Sequence, residues 1–410
     1  MMQLEWRISI LLVLALLLCA CQPIIAPVEM APAEDGSEIP AAQNTLDPAL
    51  VAEIEAYVTQ ELDARMVPGA AIGIVKDGEL VYAKGFGVKE LGGVDPVTPD
   101  TNFLVSSVTK TLTAVAVMQL VEQGLIDLDA PVTAYLPYFT LAEPESQQMT
   151  IRQLLSHTAG MPDVRDFDAE AQAPDKPTDE GFLEAYLRTY SDASLLYAPG
   201  EGWSYSTLGM DVLGDVIAKV SGQSYEQYIE ENILGPLEMD GSTIRLAKVD
   251  PTQMVTPYRH GEDGPTAMDY ISTSQVHAPG NGLFTNVNDI AQFAIVNLNK
   301  GEIDGFELLP ASAYEMMWTP QTDETPWAEW LGPRFNYYGL GWWVGEDGGH
   351  QAIGGYGADN GFCAHMELLP EQGLAVISFV NYMDFDDMVL SASDIGSHVA
   401  VMVADFEANH

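Results

Sequence analysis

Thr111 to Gln123 is apolar on nearly every side and stops at Gly124. A helix that is apolar all round lies inside a protein rather than on its surface. The chain must therefore build a core large enough to enclose it. Ser107-Val108-Thr109-Lys110 heads this helix. Spacing i, i+3 puts Ser107 and Lys110 on one helix face. A serine hydroxyl is a weak nucleophile until a base removes its proton. A lysine can be that base only if burial lowers its pKa from about 10.4. The enclosed helix supplies the burial, and its N-terminus favours negative charge developing at Ser107. With eight lysines, on the order of one Ser-x-x-Lys match arises by chance. This is the only one, and it sits where an unpaired lysine would cost several kcal/mol. The bland alternative is a Lys110 that snorkels out to water.

The 410 residues carry 60 Asp+Glu against 16 Lys+Arg, a formal charge of −44. No basic surface exists to displace counterions, so nucleic-acid binding is excluded. Hydrophobic residues make up 47% of the chain, which excludes a disordered protein. Ile8 to Ala20 is continuously apolar, too short to span a bilayer and right for a leader core. Residues 1–20 read as a signal peptide and 21–43, rich in Pro, Ala and Glu, as a flexible tether. Residues 44–410 read as one catalytic unit, with an acidic surface insertion from Met161 to Glu180. Beyond Cys19 and Cys21 the only cysteine is Cys363. No disulfide framework can form, and Cys363 reads as an inert core residue. The seven histidines show no His-x-x-x-His or Glu-flanked spacing, so neither a metal nor any other cofactor is expected.

Leu50, Ile54, Tyr57, Val58 and Leu62 predict a helix from Leu46 to Leu62. A buried strand over 70–75 turns at Asp77-Gly78 and returns from Leu80 to Phe86. Gly361 to Leu369 and Leu374 to Tyr382 form a second hairpin. Helices are expected from Thr207 to Val220, Asn288 to Leu298 and Met388 to Phe406. The expected fold is α/β in the α+β sense: both hairpins joined in one antiparallel sheet, flanked by helices, with a helical subdomain inserted.

Two further stretches could bear on Ser107. Tyr205-Ser206-Thr207 follows a polar segment at a helix entry, where a tyrosine hydroxyl can share a proton with Lys110 and Ser107. An ordinary half-buried tyrosine is the competing reading. Ile353 to Gly361 is glycine-rich and leads into a strand. Glycines there allow a backbone to approach a ligand closely, although glycine loops are common.

Taken together these pieces resemble the serine β-lactamase and penicillin-binding-protein superfamily, closest to its class C-like branch of esterases and D-amino-acid peptidases. Ser-x-x-Lys is one of its motifs. The likeness runs from Leu46 to Val403. It includes Val67-Pro68-Gly69-Ala70, Thr150 to Met161, Leu195 to Tyr205, Gly282-Leu283-Phe284-Thr285 with Asp289, Gly339-Leu340-Gly341-Trp342 and Leu368-Leu369-Pro370. The resemblance implies that Ser107 is acylated, with Lys110 as its general base. Tyr205 would relay a proton to the leaving group and later help activate water. The backbone amides of Ser107 and Ala358 would form the oxyanion hole, with Thr207, Gly355, Tyr356 and Gly357 lining the substrate site. His157 would be structural. The leader's end, Leu18-Cys19-Ala20-Cys21, resembles the lipoprotein signal. It implies acylation of Cys21, a lipid anchor as the only membrane contact, and a cell-envelope or extracellular location.

The chain departs from the family pattern twice. Thr207 stands where the second motif, Tyr-x-Asn, has its Asn. The third motif, normally Lys-Thr-Gly or His-x-Gly, reads Gly355-Tyr356-Gly357, and only a shifted loop would bring His350 into its place. Without a cation there, recognition of a carboxylate is weakened, because charge-assisted hydrogen bonds are the stronger ones. The expected activity is therefore hydrolysis of an ester or small amide or peptide through an acyl-enzyme. The alternatives are a β-lactamase or D,D-carboxypeptidase, or a decayed member serving as a surface binding domain.

Overall fold

The structure, a computed structural model, describes residues 45–165, 181–261, 264–269, 271, 275–359, 361–383 and 391–410. The leader, Cys21, the tether up to residue 44 and residues 166–180 of the acidic insertion lie outside the described residues. Helix α1, Pro48–Arg65, starts at the Asp47 cap, whose carboxylate accepts from the Ala49 N–H, and Pro48 has no N–H to leave unpaired. It buries Leu50, Ile54, Val58 and Leu62, the expected stripe. Strands β1, Gly69–Lys76, and β2, Glu79–Gly87, form the first hairpin. Asp77 and Gly78 at its tip both have positive φ, as this type of tight turn requires.

The other sheet strands come late in the chain: β3 Tyr337–Tyr338, β4 Trp343–Asp347, β5 His350–Asp359, β6 Phe362–Leu369 and β7 Leu374–Val380. They form one seven-stranded sheet in the order β2-β1-β7-β6-β5-β4-β3, with every neighbouring pair antiparallel. β1 pairs with β7 from Ala70↔Val380 to Lys76↔Leu374, so the two hairpins do join. The sequence expectation differs at β5. The glycine-rich run expected to lead into a strand is itself a strand, and β4, which has no counterpart in that reading, pairs its first half.

Four further helices complete the frame: α2 Thr109–Glu122, α3 Thr207–Ser221, α4 Val287–Leu298 and α5 Ser391–Asn409. α1 and α5 share an apolar cluster with one face of the sheet, including Ile72, Val376 and Val399. α2, α3 and α4 share the larger cluster on the other face with Ala71, Ile377 and Phe379. Every residue from Thr109 to Met118 is buried, Lys110 among them. Cys363 is buried in β6, and desolvation pushes its thiol up to about 12, which keeps it unreactive.

Candidate active site

Ser107 lies in a tight turn, Ser106–Val108, that runs directly into α2. Ser106 has φ 47°, the left-handed region that non-glycine residues seldom enter. The Lys110 side chain does not snorkel. It is 1% exposed, and its Nζ donates to Ser107 Oγ at 2.9 Å and to the Gly280 carbonyl at 2.9 Å. Thr207 Oγ1 is a weaker acceptor at 3.4 Å. Burial lowers the amine's pKa to about 8, against the opposing pull of Asp163, Asp211 and Asp359. An amine so tuned is neutral in part of the population at neutral pH, close enough to Ser107 to take its proton.

Tyr205 arrives from the polar segment before α3. Its ring lies 4.9 Å from Lys110 Nζ, and its hydroxyl is close enough to Ser107 that the serine side chain draws the phenol's pKa down against burial. Burial raises its pKa, so the phenol keeps its hydrogen. His157 props this ring from behind, with centroids 4.4 Å apart. Its Nδ1 accepts the Ser206 N–H at 3.3 Å. Burial and the Lys110 charge hold its pKa well below the usual imidazole value. His157 is a neutral strut, as its polar contacts imply. Thr207 N donates to Asp163 Oδ1 at 2.8 Å, which fixes the start of α3 beside the lysine.

β5 passes in front of the Ser107 turn. Beyond Gly354 it is no longer paired with β4, and this edge faces residues 106–108. A Cβ on Gly357 would lie 2.2 Å from the Val105 carbonyl oxygen and 2.7 Å from Ser107 N. Gly355 faces Thr111 and Val108. The glycines thus serve close approach of strand to helix. Tyr356, between them, packs 5.9 Å from Trp343 in an aromatic cluster with Phe335, Tyr338, Trp203, Trp327 and Tyr205. Trp327 lies 4.8 Å from the Tyr205 ring. Ala358 follows in β5, paired with Cys363. His350 stands at the strand's other end, paired with Asp347 across the hairpin. Seven residues of strand are on the order of 23 Å, so His350 does not replace the missing third-motif group.

Sequence reasoning overlooked the segment Ala278–Asn281, a short helical turn. Thr113 donates to the Pro279 carbonyl at 2.6 Å, and Lys110 to Gly280 as above. Ser107 donates to Asn281 Oδ1 at 3.2 Å, and Leu283 N donates to Thr109 Oγ1 at 3.0 Å. A Cβ on Gly280 would lie 2.6 Å from Thr207 Cγ2. The buried pair His277 Nδ1 and Asp211 Oδ2, 2.8 Å apart, ties the same segment to α3. The only sequence signal was the pair of glycines flanking Asn281.

A family model described as Beta-lactamase matches residues 54–397. The chain is similar to esterase EstB of Burkholderia gladioli, 33% identical over 247 residues, which cover 55% of this chain and 59% of EstB. It is also similar to protein flp of Staphylococcus aureus, 25% identical over 335 residues, 80% of this chain and 62% of that protein. Each match thus spans less than two thirds of the relative. Among solved structures, the octameric penicillin-binding protein homologue from Pyrococcus abyssi superposes with a TM-score of 0.70 at 26% identity, covering 88% of this chain and 77% of that one. EstCE1, described as a hydrolase with promiscuous acyltransferase activity, reaches 0.70 at 23% identity over 86% of this chain and 98% of its own. At that identity the likeness concerns the fold alone.

Proposed function

The chain belongs to the Beta-lactamase family, and from that premise we propose that it is a serine hydrolase that cleaves a neutral ester or small amide through an acyl-enzyme on Ser107. One observation carries this reading: a fully enclosed amine, with its pKa brought to about 8, lies 2.9 Å from the Ser107 hydroxyl. When Lys110 is neutral it takes the proton as Ser107 Oγ bonds to the substrate carbonyl carbon. The carbonyl π pair moves to its oxygen, where the N–H groups of Ser107 and Ala358 stabilise it. Collapse of this intermediate expels the alkoxide or amine, which receives a proton through Tyr205 from Lys110. Tyr205 acts as a phenol, not a phenolate, because burial raises its pKa. Water then attacks the acyl group by the same relay in reverse.

Gly355-Tyr356-Gly357 offers no charge to a substrate carboxylate, and the wall of Trp203, Trp327 and Trp343 beside Tyr205 is aromatic. Both features favour an uncharged substrate with an apolar part over a β-lactam or a D-alanyl peptide. The esterase named among the relatives agrees with this choice. We also propose that the apolar leader and an acylated Cys21 hold the domain at the cell envelope.

A fluorophosphonate probe with site mapping tests the reading. Labelling at Ser107, a burst with p-nitrophenyl butyrate, and loss of both in Ser107→Ala are expected. Lys110→Ala should slow turnover by at least ~10²-fold. Nitrocefin turnover exceeding ester turnover would favour the β-lactamase alternative. A wild-type protein that neither labels nor turns over ester would favour a binding domain.

A further inference from the structure

Ser107 has three polar neighbours, and they do not play the same part. Lys110 Nζ donates to its oxygen at 2.9 Å, and the Tyr205 phenol lies beside it. The third neighbour, Asn281 Oδ1, stands at 3.2 Å. The Asn281 amide cannot choose which end it presents. Its Nδ2 donates to Asp359 Oδ2 at 2.7 Å, and a carboxylate only accepts. This pairing assigns the amide oxygen to the Ser107 side. Asn281 and Asp359 are each 6% exposed, so little water competes for either. With Lys110 donating to its oxygen, the single hydrogen of Ser107 points at Asn281 Oδ1.

We propose that Asn281, oriented by Asp359, is a further catalytic residue that holds the Ser107 hydrogen away from Lys110 until the lysine has lost its own proton. The inference deepens the serine-hydrolase reading and rests on it. Two arrangements exchange. In one, Lys110 is an ammonium and Ser107 donates to Asn281. In the other, Lys110 is an amine and the hydroxyl has turned about its Cβ–Oγ bond to donate to Nζ. Only the second leads to attack, in which the O–H bond breaks toward Nζ as the Oγ–carbon bond forms. Asn281 stabilises the first alone. It therefore raises the pH at which the site becomes competent and ensures that an unpaired Ser107 hydroxyl never faces Lys110.

Other charges face Lys110 from every side. Asp211 projects from α3 with His277 bound to it. Asp163 lies at the Thr207 N–H, and Asp359 projects from β5. Tyr205 and the neutral His157 complete the surround. Removing the Asn281 amide leaves all of them in place, so its effect can be read separately.

The test is the rate of Ser107 labelling by a neutral fluorophosphonate on the full chain between pH 5.5 and 9.5, which needs no knowledge of the natural substrate. The wild-type rate should rise with pH through one midpoint. In Asn281→Ala the midpoint should fall by about half a unit, so that labelling at pH 6, relative to its own plateau, is about threefold faster. Asn281→Asp places a carboxylate beside the amine and should move the midpoint up by a similar amount. Opposite shifts are the signature that a merely structural role would not produce. If both variants lose rate equally at every pH and keep the wild-type midpoint, the inference is wrong. Should circular dichroism show either variant unfolded, Asp359→Asn removes the clamp and one negative charge. Its midpoint should fall, and an unchanged midpoint overturns the inference equally. Absence of any labelling in the wild type refutes the hydrolase reading itself and takes the inference with it.

Discussion

Replacing Lys110 by Met would expose the energetics of the buried amine directly. Its pKa falls from the ordinary 10.5 to about 8, with burial the dominant cause. At 1.36 kcal/mol per pH unit, the difference amounts to about 3 kcal/mol. Below pH 8 the native and unfolded chains both hold the proton, and the full burden of enclosing an ammonium is present. Between pH 8 and 10.5 the unfolded chain keeps the proton and the native protein has released it. Stability contributed by this group therefore rises with pH across that window and levels off above it. Met has similar length and no charge, so the variant lacks this dependence. It also leaves the Gly280 carbonyl without its 2.9 Å donor, but that loss is the same at every pH. Urea unfolding followed by fluorescence of the seven tryptophans at pH 7, 8, 9 and 10 gives the two stabilities. The wild type should gain roughly 2–3 kcal/mol on Lys110→Met between pH 7 and 10. A difference that stays flat, or that declines with pH, would refute the burial argument, and the general-base role of Lys110 would go with it.

Two other perturbations probe the surroundings of the pair. Gly357→Ala puts a methyl 2.2 Å from the Val105 carbonyl oxygen; it should destabilise the protein by about 1–3 kcal/mol and lower ester turnover, measured by thermal melting and p-nitrophenyl butyrate hydrolysis. Tyr205→Phe keeps the ring against His157 and Lys110 but deletes the hydroxyl beside Ser107, and kcat should drop by roughly 10²–10⁴-fold with stability nearly unchanged.

The pairing of Ser107 with Lys110 was legible in the sequence because the two are three residues apart on one helical turn, where local spacing and burial say nearly everything. Tyr205 and Thr207 could be placed by their position at the mouth of α3. The joining of the two hairpins followed from their apolar patterns, and β1 pairs with β7 accordingly. Asn281 was illegible for the opposite reason. It lies 174 residues from Ser107, in a Pro279-Gly280-Asn281-Gly282 stretch that looks like an ordinary turn. Its meaning exists only through contacts with α2 and β5. The run from Ile353 to Asp359 was seen to lead into a strand but not to form one of its own, because glycine is a poor strand residue. Its glycines are required by what passes in front of the strand, Val105 and Ser107, and not by a turn within it. β4 escaped notice because Trp343 and Val344 are followed by Gly345, Glu346 and Asp347, which carry no apolar alternation.

The segment from Pro279 to Leu283 shadows the first turns of α2 residue by residue, through Thr113, Lys110, Ser107 and Thr109. Nucleophile, base and their backbone partners thus form a single block, and the strand bearing Ala358 is a separate one. On the proposed mechanism, loosening the seam between the two blocks would part Ala358 from Ser107 while the amine stays at the hydroxyl. Under that proposal such a molecule would keep the serine beside its amine yet lose the N–H of Ala358 for the substrate's oxygen, so that small, intrinsically electrophilic reagents would outlast the natural substrate as partners. Among the described residues, the amide of residue 281 on the carboxylate of residue 359 is a clasp that crosses that seam and holds the two blocks in register.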